Sequence, residues 1–337
     1  MNKYSYEEVY QATLKYFHGD ELATKVCVEK YLLRDNQNYY ELTPDDMHWR
    51  IAKEFARIEK TKFKVPLSEE QIYDYIKNFE KIIPQGSPMF GIGNPFQTVT
   101  ISNCYVVPSP NDSYGGIFST DQHIAQISKR RGGIGYDIST LRPKDAPVNN
   151  AAHSTTGAVS FMHRFSNTGR EVAQGGRRAA QMITISVHHP DILDFIKVKG
   201  DNNSVTGANI SVRLTDEFLN AVENNKEYEL RWPVDSQTPK ISKFISAKLI
   251  WKESINYAWL RAEPGILFWD RIIQESPADC YENFKTISTN PSLRGNTNIL
   301  VGGPNNPHWE TISYICNTCY FDCDNTILVK NINGQWK

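Results

Sequence analysis

Over the first 95 residues apolar positions recur at helical spacing. Met47, Ile51, Phe55 and Ile58 stand three or four apart, which predicts one helix face to bury. Start signals precede such stretches. Ser5 with Glu8, and Ser68 with Gln71, have capping-box spacing, in which side chains satisfy backbone N–H groups that the first turn leaves open. Thr43-Pro44-Asp45-Asp46 puts proline at the first helical position and acids beside the positive helix end. Core packing is the role these aromatics and aliphatics predict.

From Thr98 the period changes to two. Val99, Ile101 and Tyr105 alternate with Thr100, Ser102 and Cys104, predicting a strand with Cys104 on its polar face. Further strands are predicted over Met182 to Val187 and Asn209 to Val212. Helices are predicted over Asp191 to Val198, over Asp216 to Glu223 behind a Thr215 cap, and over Ala247 to Ala262. Strands alternating with helices imply an α/β architecture with a largely parallel sheet. Beyond Pro291 the composition shifts, and Gly302-Gly303-Pro304-Asn305-Asn306-Pro307 is loop-like. The predicted divisions are 1–95 (helical), 96–291 (α/β) and 292–337 (a tail).

A length of 337 residues allows one large or two medium domains. The net charge of -1 gives no global pull toward nucleic acid or a membrane surface, so anion binding must come from local constellations. No apolar run is long enough for a membrane span, and Met1-Asn2-Lys3-Tyr4-Ser5 lacks an apolar signal core. Six irregularly spaced cysteines point to a reducing compartment, with cytoplasm as the expected location.

Four constellations carry candidate chemistry. Gln85-Gly86-Ser87-Pro88 is a small-residue loop with a hydroxyl, suited to close approach of a ligand; it is equally a plain turn. Ser102-Asn103-Cys104, with Asp112-Ser113 beyond, presents a strand-borne thiol that is a redox group, a nucleophile or a surface residue. Arg130-Arg131-Gly132-Gly133-Ile134-Gly135, followed by Arg142-Pro143-Lys144, offers amides and guanidinium groups to an anion. It is not the dinucleotide fingerprint, because the third glycine is missing. Gln174-Gly175-Gly176-Arg177-Arg178 is a glycine–arginine loop that could sense a nucleotide or merely face solvent.

In their order and spacing these stretches, with Thr206-Gly207-Ala208-Asn209, Glu263-Pro264-Gly265-Ile266 and Thr289-Asn290-Pro291, resemble the large subunit of ribonucleotide reductase from about Tyr4 to Pro291. The resemblance implies a helical N-terminal region followed by the first half of a ten-stranded α/β barrel. It implies that Cys104 is one of two thiols that reduce the substrate, and that Asn290 binds the substrate ribose. Ser87 and Arg178 would contact substrate. Asp112, Arg142 and Gln174 would bind or relay a nucleoside triphosphate effector. Implied partners are a ribonucleotide substrate, a thioredoxin-like reductant, the C-terminal half of the reductase and a second copy in a homodimer, with no membrane and no direct nucleic-acid contact. Cys104-Tyr105-Val106-Val107-Pro108 and Arg142-Pro143-Lys144 are closer to the adenosylcobalamin-dependent members, and no ATP-cone-like region precedes the helical start. The other implied radical source is a separate metal-containing subunit.

Where the family has Cys-Gly-Glu, with its radical cysteine and basic glutamate, this chain reads Ser292-Leu293-Arg294. A serine O–H bond is too strong to replace a thiol as a reversible hydrogen donor, so the chain alone is expected to be inactive. Ser292 to Val301 resembles the opening block of an intein, with Ser292 as the nucleophile that attacks the Pro291 carbonyl. A non-catalytic nucleotide-binding remnant is the rival reading. Cys316, Cys319 and Cys323 with His308 could form a zinc site; reduced cysteines in a tail are the expectation, with no metal.

Overall fold

A computed structural model of the chain describes residues 2–172, 179–201, 203–277, 279–282, 284–289 and the strand at 328–329. Two compact units emerge, residues 1–103 with 324–337, and residues 104–323.

In the first unit, the Ser5 amide donates to the Glu8 carboxylate at 2.8 Å while the Ser5 side chain accepts from Glu8 N, and this box opens α1 (Tyr6–Tyr16). α2 (Glu21–Lys30) is capped by Asp20. α3 (Pro44–Lys62) begins at Thr43 with Pro44 in its first turn, and Ser68 with Gln71 opens α4 (Glu69–Ile76). The apolar stripe of α3 differs from the predicted one. Met47, Ile51, Ala52 and Ala56 are buried with His48, whereas Phe55 is 44% exposed. Helix α3 packs against α4 with these apolar residues in one buried cluster, a face turned by one position away from Phe55. β1 (Ile82–Ile83) pairs antiparallel with β9 (Leu328–Val329). α5 (Gly86–Gly91) is anchored by Arg50, which donates to the carbonyl oxygens of Met89 (2.9 Å) and Ile92 and is ion-paired to the buried Glu41 at 2.7 Å.

The second unit is a five-stranded parallel sheet in the order β2-β3-β4-β5-β8: β2 (Cys104–Val106), β3 (Gly133–Asp137), β4 (Gln181–Ser186), β5 (Asn209–Leu214) and β8 (Gly265–Phe268). Parallel neighbours need crossovers, and helices supply them. α6 (Tyr114–Ser128), α7 (Ala158–Glu171) and α8 (Ile192–Lys197) join the first four strands. α9 (Asp216–Glu223), the antiparallel hairpin of β6 (Glu227–Trp232) and β7 (Ile241–Ser246), and α10 (Ala247–Arg261) lead to β8, followed by α11 (Trp269–Glu275). Ile134 and Tyr136 of β3, Ile183 and Ile185 of β4, and Ile210 and Val212 of β5 pack in one cluster with Ile124, Phe165 and Phe195 of the helices. Removing one such side chain costs about 2–5 kcal/mol. Helix α7 comes so close to the sheet that a Cβ on Gly169 would lie 1.8 Å from Gln181 Nε2. Helical unit and parallel half-barrel match the predicted architecture, and the sheet is open rather than closed on itself.

The predicted strand over residues 99–105 is shorter than its alternation implied, because β2 starts only at Cys104. Its neighbour β3 begins at Gly133, directly opposite Cys104, so residues 99–103 have no ladder partner. Side chains take up that backbone instead: Thr100 Oγ1 accepts from Ser102 N at 3.1 Å, and Asn103 Oδ1 accepts from Ser87 N at 2.7 Å.

Candidate functional site

Because successive side chains on a strand point to opposite faces, the residues paired with solvent-averse helices leave a second, inner face. With Ile134, Tyr136, Ile183, Ile185, Ile210 and Val212 on the helix side, the inner face carries Gly133, Gly135 and Asp137 from β3. β4 adds Met182, Thr184 and Ser186, and β5 adds Asn209, Ser211 and Arg213. Tyr105 faces the helix side, where it sits beside Gly132 and Ile127, so Cys104 faces inward. Cys104 pairs in register with Gly133, and Val106 with Gly135, so the half-buried thiol has two glycines beside it.

Further along the same face a polar network holds the segment that leads to Asn290. Asp137 Oδ1 accepts from Ser139 N at 3.0 Å and from Arg213 Nη2 at 3.1 Å. Arg213 Nε lies 3.0 Å from Asp137 Oδ2 as an ion contact. The same Oδ2 accepts from Thr184 Oγ1 at 2.9 Å, and Thr184 Oγ1 lies 2.9 Å from Ser288 Oγ. Arg213 Nη1 donates to the Ile287 carbonyl at 3.0 Å. Thr184 and Ser288 are fully buried. Charged and hydroxyl groups at these distances form a buried network rather than a solvated patch, with Arg213 Nε meeting Asp137 by charge alone and not by a hydrogen bond.

A second site lies at the start of α6. Asp112, Arg142, Val148, Asn150, Thr155 and Phe161 are among the residues lining a cleft of about 250 Å³. Asp112 accepts from Arg142 Nε at 2.7 Å and from Arg142 N at 3.0 Å, and Arg142 Nη1 donates to the Pro147 carbonyl at 2.9 Å. The Arg142 guanidinium also sits 5.9 Å from the Trp232 ring centre. Both partners of this ion pair are partly exposed, at 30% and 24%, so it is worth about 0–1 kcal/mol. Turning Arg142 toward an anionic ligand therefore costs little.

Asp112 and Arg142, predicted from sequence as an effector pair, thus meet in one cleft, and Cys104 lies on the inner face of the same unit's sheet. Ser87 belongs to the helical unit, where it is fully buried in α5 with its amide on Asn103. Gln174, Arg178, Asn290 and Ser292 lie outside the described residues, as do His308, Cys316, Cys319 and Cys323. Among the described residues no cluster of three metal ligands occurs, and no helix is long and apolar enough to cross a membrane. Asp137, Thr184, Arg213 and Ser288 were not singled out by motif; for the first three the available signal was the spacing of polar residues inside buried strands, and Ser288, outside any strand, had none.

Comparison with known proteins decides the lineage. The family profile described as the barrel domain of ribonucleotide reductase matches residues 102–292, and that of its all-alpha domain matches residues 17–97. The chain belongs to the ribonucleotide reductase large-subunit family. A vitamin B12-dependent ribonucleoside-diphosphate reductase of Thermoplasma acidophilum is 37% identical over 327 residues, covering 80% of this chain and 42% of the relative. One from Mycobacterium tuberculosis, of the same name, is 31% identical over 260 residues, covering 76% and 36%. A ribonucleoside-diphosphate reductase large subunit of Dictyostelium discoideum is 25% identical over 240 residues, covering 67% and 27%. This reductase chain spans about two fifths of the length of the first of these and less of the others.

Proposed function

We propose that this chain is the thiol-bearing and nucleotide-sensing half of a reductase that converts a ribonucleoside diphosphate to its deoxy form. The observation that supports this best is Cys104, facing inward beside Gly133 and Gly135 on a sheet that also anchors residues 287–288. Cys104 would act with a second thiol from the C-terminal half: the ribose C2′–O bond breaks and a C2′–H bond takes its place, the two thiols give up two electrons and two protons to become a disulfide, and the hydroxyl leaves with one of those protons as water. Asn290 would hold the ribose, with Ser87 and Arg178 at the substrate. Adenosylcobalamin, when bound, supplies the radical that starts this chemistry, in keeping with the names of the relatives. This chain's part would be to present the Cys104 thiol on the inner face, in register with Gly133. A thioredoxin-like dithiol would restore Cys104 between turnovers, and a second copy of the chain would complete a homodimer.

Arg142 and Asp112 would bind the phosphates and sugar or base of a deoxynucleoside triphosphate effector, with Gln174 to Arg178 relaying its identity. Equilibrium binding of deoxynucleoside triphosphates to the purified chain tests this. Arg142→Ala should weaken binding about 10- to 100-fold, the loss of one or two charge-assisted hydrogen bonds. Unchanged affinity contradicts the effector assignment.

We also propose that catalysis waits on joining to a C-terminal half. The family match ends at residue 292, where Ser292 stands in place of the radical cysteine. Ser292 would attack the Pro291 carbonyl, exchanging the peptide bond for an ester as the first step of splicing. Mixing the chain with a candidate C-terminal half should give one longer polypeptide by mass spectrometry, and Ser292→Ala should prevent it.

A further inference from the structure

Residues 143–157 form one wall of the cleft, through Val148, Asn150 and Thr155. They fold as an excursion closed on itself by Asp145 N to Thr155 O (3.0 Å) and Val148 N to His153 O (2.9 Å). Its base, however, is closed by a residue from another element. Asp191, just before α8, accepts from Lys144 N at 3.0 and 3.1 Å and from Ala158 N at 3.0 Å. One carboxylate thus holds Lys144 at the start of the loop and Ala158, the first amide of α7, at its end. Gly157, at φ +90°, permits the approach: a Cβ there would lie 2.7 Å from Asp191 Oδ2 and 2.7 Å from Lys144 N.

Asp191 is held in turn by His189. The Asp191 amide donates to His189 Nδ1 at 3.0 Å, so that nitrogen is unprotonated. Nε2 then carries the hydrogen and donates to the Leu141 carbonyl at 2.8 Å, one residue before Arg142. His189 is fully buried, which pushes its pKa below the ordinary value and keeps this single tautomer.

We propose that Asp191, oriented by His189, is a positioning residue for the effector cleft, fixing both ends of the 143–157 loop so that the loop wall and Arg142 stand at the separation a nucleoside triphosphate requires. This rests on the effector reading above. It adds a determinant of that site which touches no ligand.

The test is equilibrium binding of deoxynucleoside triphosphates with Mg²⁺ to the chain and to Asp191→Asn and Gly157→Ala, each measured well below its melting midpoint. The two changes disturb one contact from opposite sides. Both should weaken binding about ten-fold or more, as loss of a charge-assisted anchor does. His189→Gln, which leaves the carboxylate in place, serves where Asp191→Asn does not fold, with the same expected loss. A merely structural role would lower the melting temperature and leave affinity unchanged, and that result overturns the proposal. A wild-type chain that binds no triphosphate overturns the effector reading itself, an outcome distinct from unchanged affinity in the variants.

Discussion

Thr184 Oγ1 lies 2.9 Å from Ser288 Oγ, joining β4 to a segment 104 residues away. The Asp137 carboxylate accepts the Thr184 hydroxyl hydrogen at 2.9 Å, and Ser288 Oγ, which is 3.4 Å from the Thr289 carbonyl, has Thr184 Oγ1 as its nearer acceptor at 2.9 Å. The contacts among Ser288, Thr184 and Asp137 tie the approach to Asn290 onto the inner face of the sheet.

Thr184→Val keeps the side-chain shape and removes both bonds. Equilibrium urea unfolding should show about 1–3 kcal/mol of lost stability from the buried groups left unpaired. Thr184→Ser should retain most of it. Equal midpoints for the wild type and the valine variant would contradict the network.

Arg213 and Asp137 form a buried ion pair, with 12% and 4% of their side chains exposed. Arg213→Met leaves the carboxylate without its counter-charge at a cost of about 3–5 kcal/mol. Replacing both, as Asp137→Leu with Arg213→Met, should cost less than the sum of the single changes, because no lone charge remains buried. A double-mutant cycle in urea reads this coupling, and strict additivity would show that the pair does not interact.

Stability should fall on the acid side of neutrality. Burial depresses the pKa of His48 and of His188 from 6.5 to about 4. The folded chain keeps both rings neutral while the unfolded chain takes up protons near 6.5. The stability they permit is therefore fully present above that pH and is lost as pH falls toward 4, at about 1.4 kcal/mol per pH unit for each ring. Both nitrogens of His48 are buried without a hydrogen-bond partner among the described residues, and its ring packs edge-on against Phe79 at 4.6 Å. His48→Leu should flatten the limb measured by thermal melts between pH 7 and roughly pH 4.5. An identical slope in the variant would remove His48 from the account.

Elements with local causes were legible in the sequence. The boxes at Ser5 and Ser68 depend on residues three apart, and β4, β5 and α9 follow from short-range period. Phe55 misled because the packing of α3 against α4 depends on the neighbour's shape, which spacing along α3 does not contain. The start of β2 depends on where β3 begins, again a partner's property. The inner-face network joins residues as far apart as Thr184 and Ser288, 104 positions along the chain, and the Asp191 anchor spans 47 from Lys144. Neither has a local signature. That Asp112 and Arg142 meet was not legible locally, since they are 30 residues apart and come together by folding.

Cys104 is proposed as the reducing thiol of a nucleotide reductase. The direct measurement is deoxyribonucleotide formation from a ribonucleoside diphosphate by the chain joined to its C-terminal half, with adenosylcobalamin and a dithiol. Wild-type protein should form product, and Cys104→Ser should fall to background while still binding triphosphate at the Arg142 cleft. Product formation by Cys104→Ser at the wild-type rate would contradict the account.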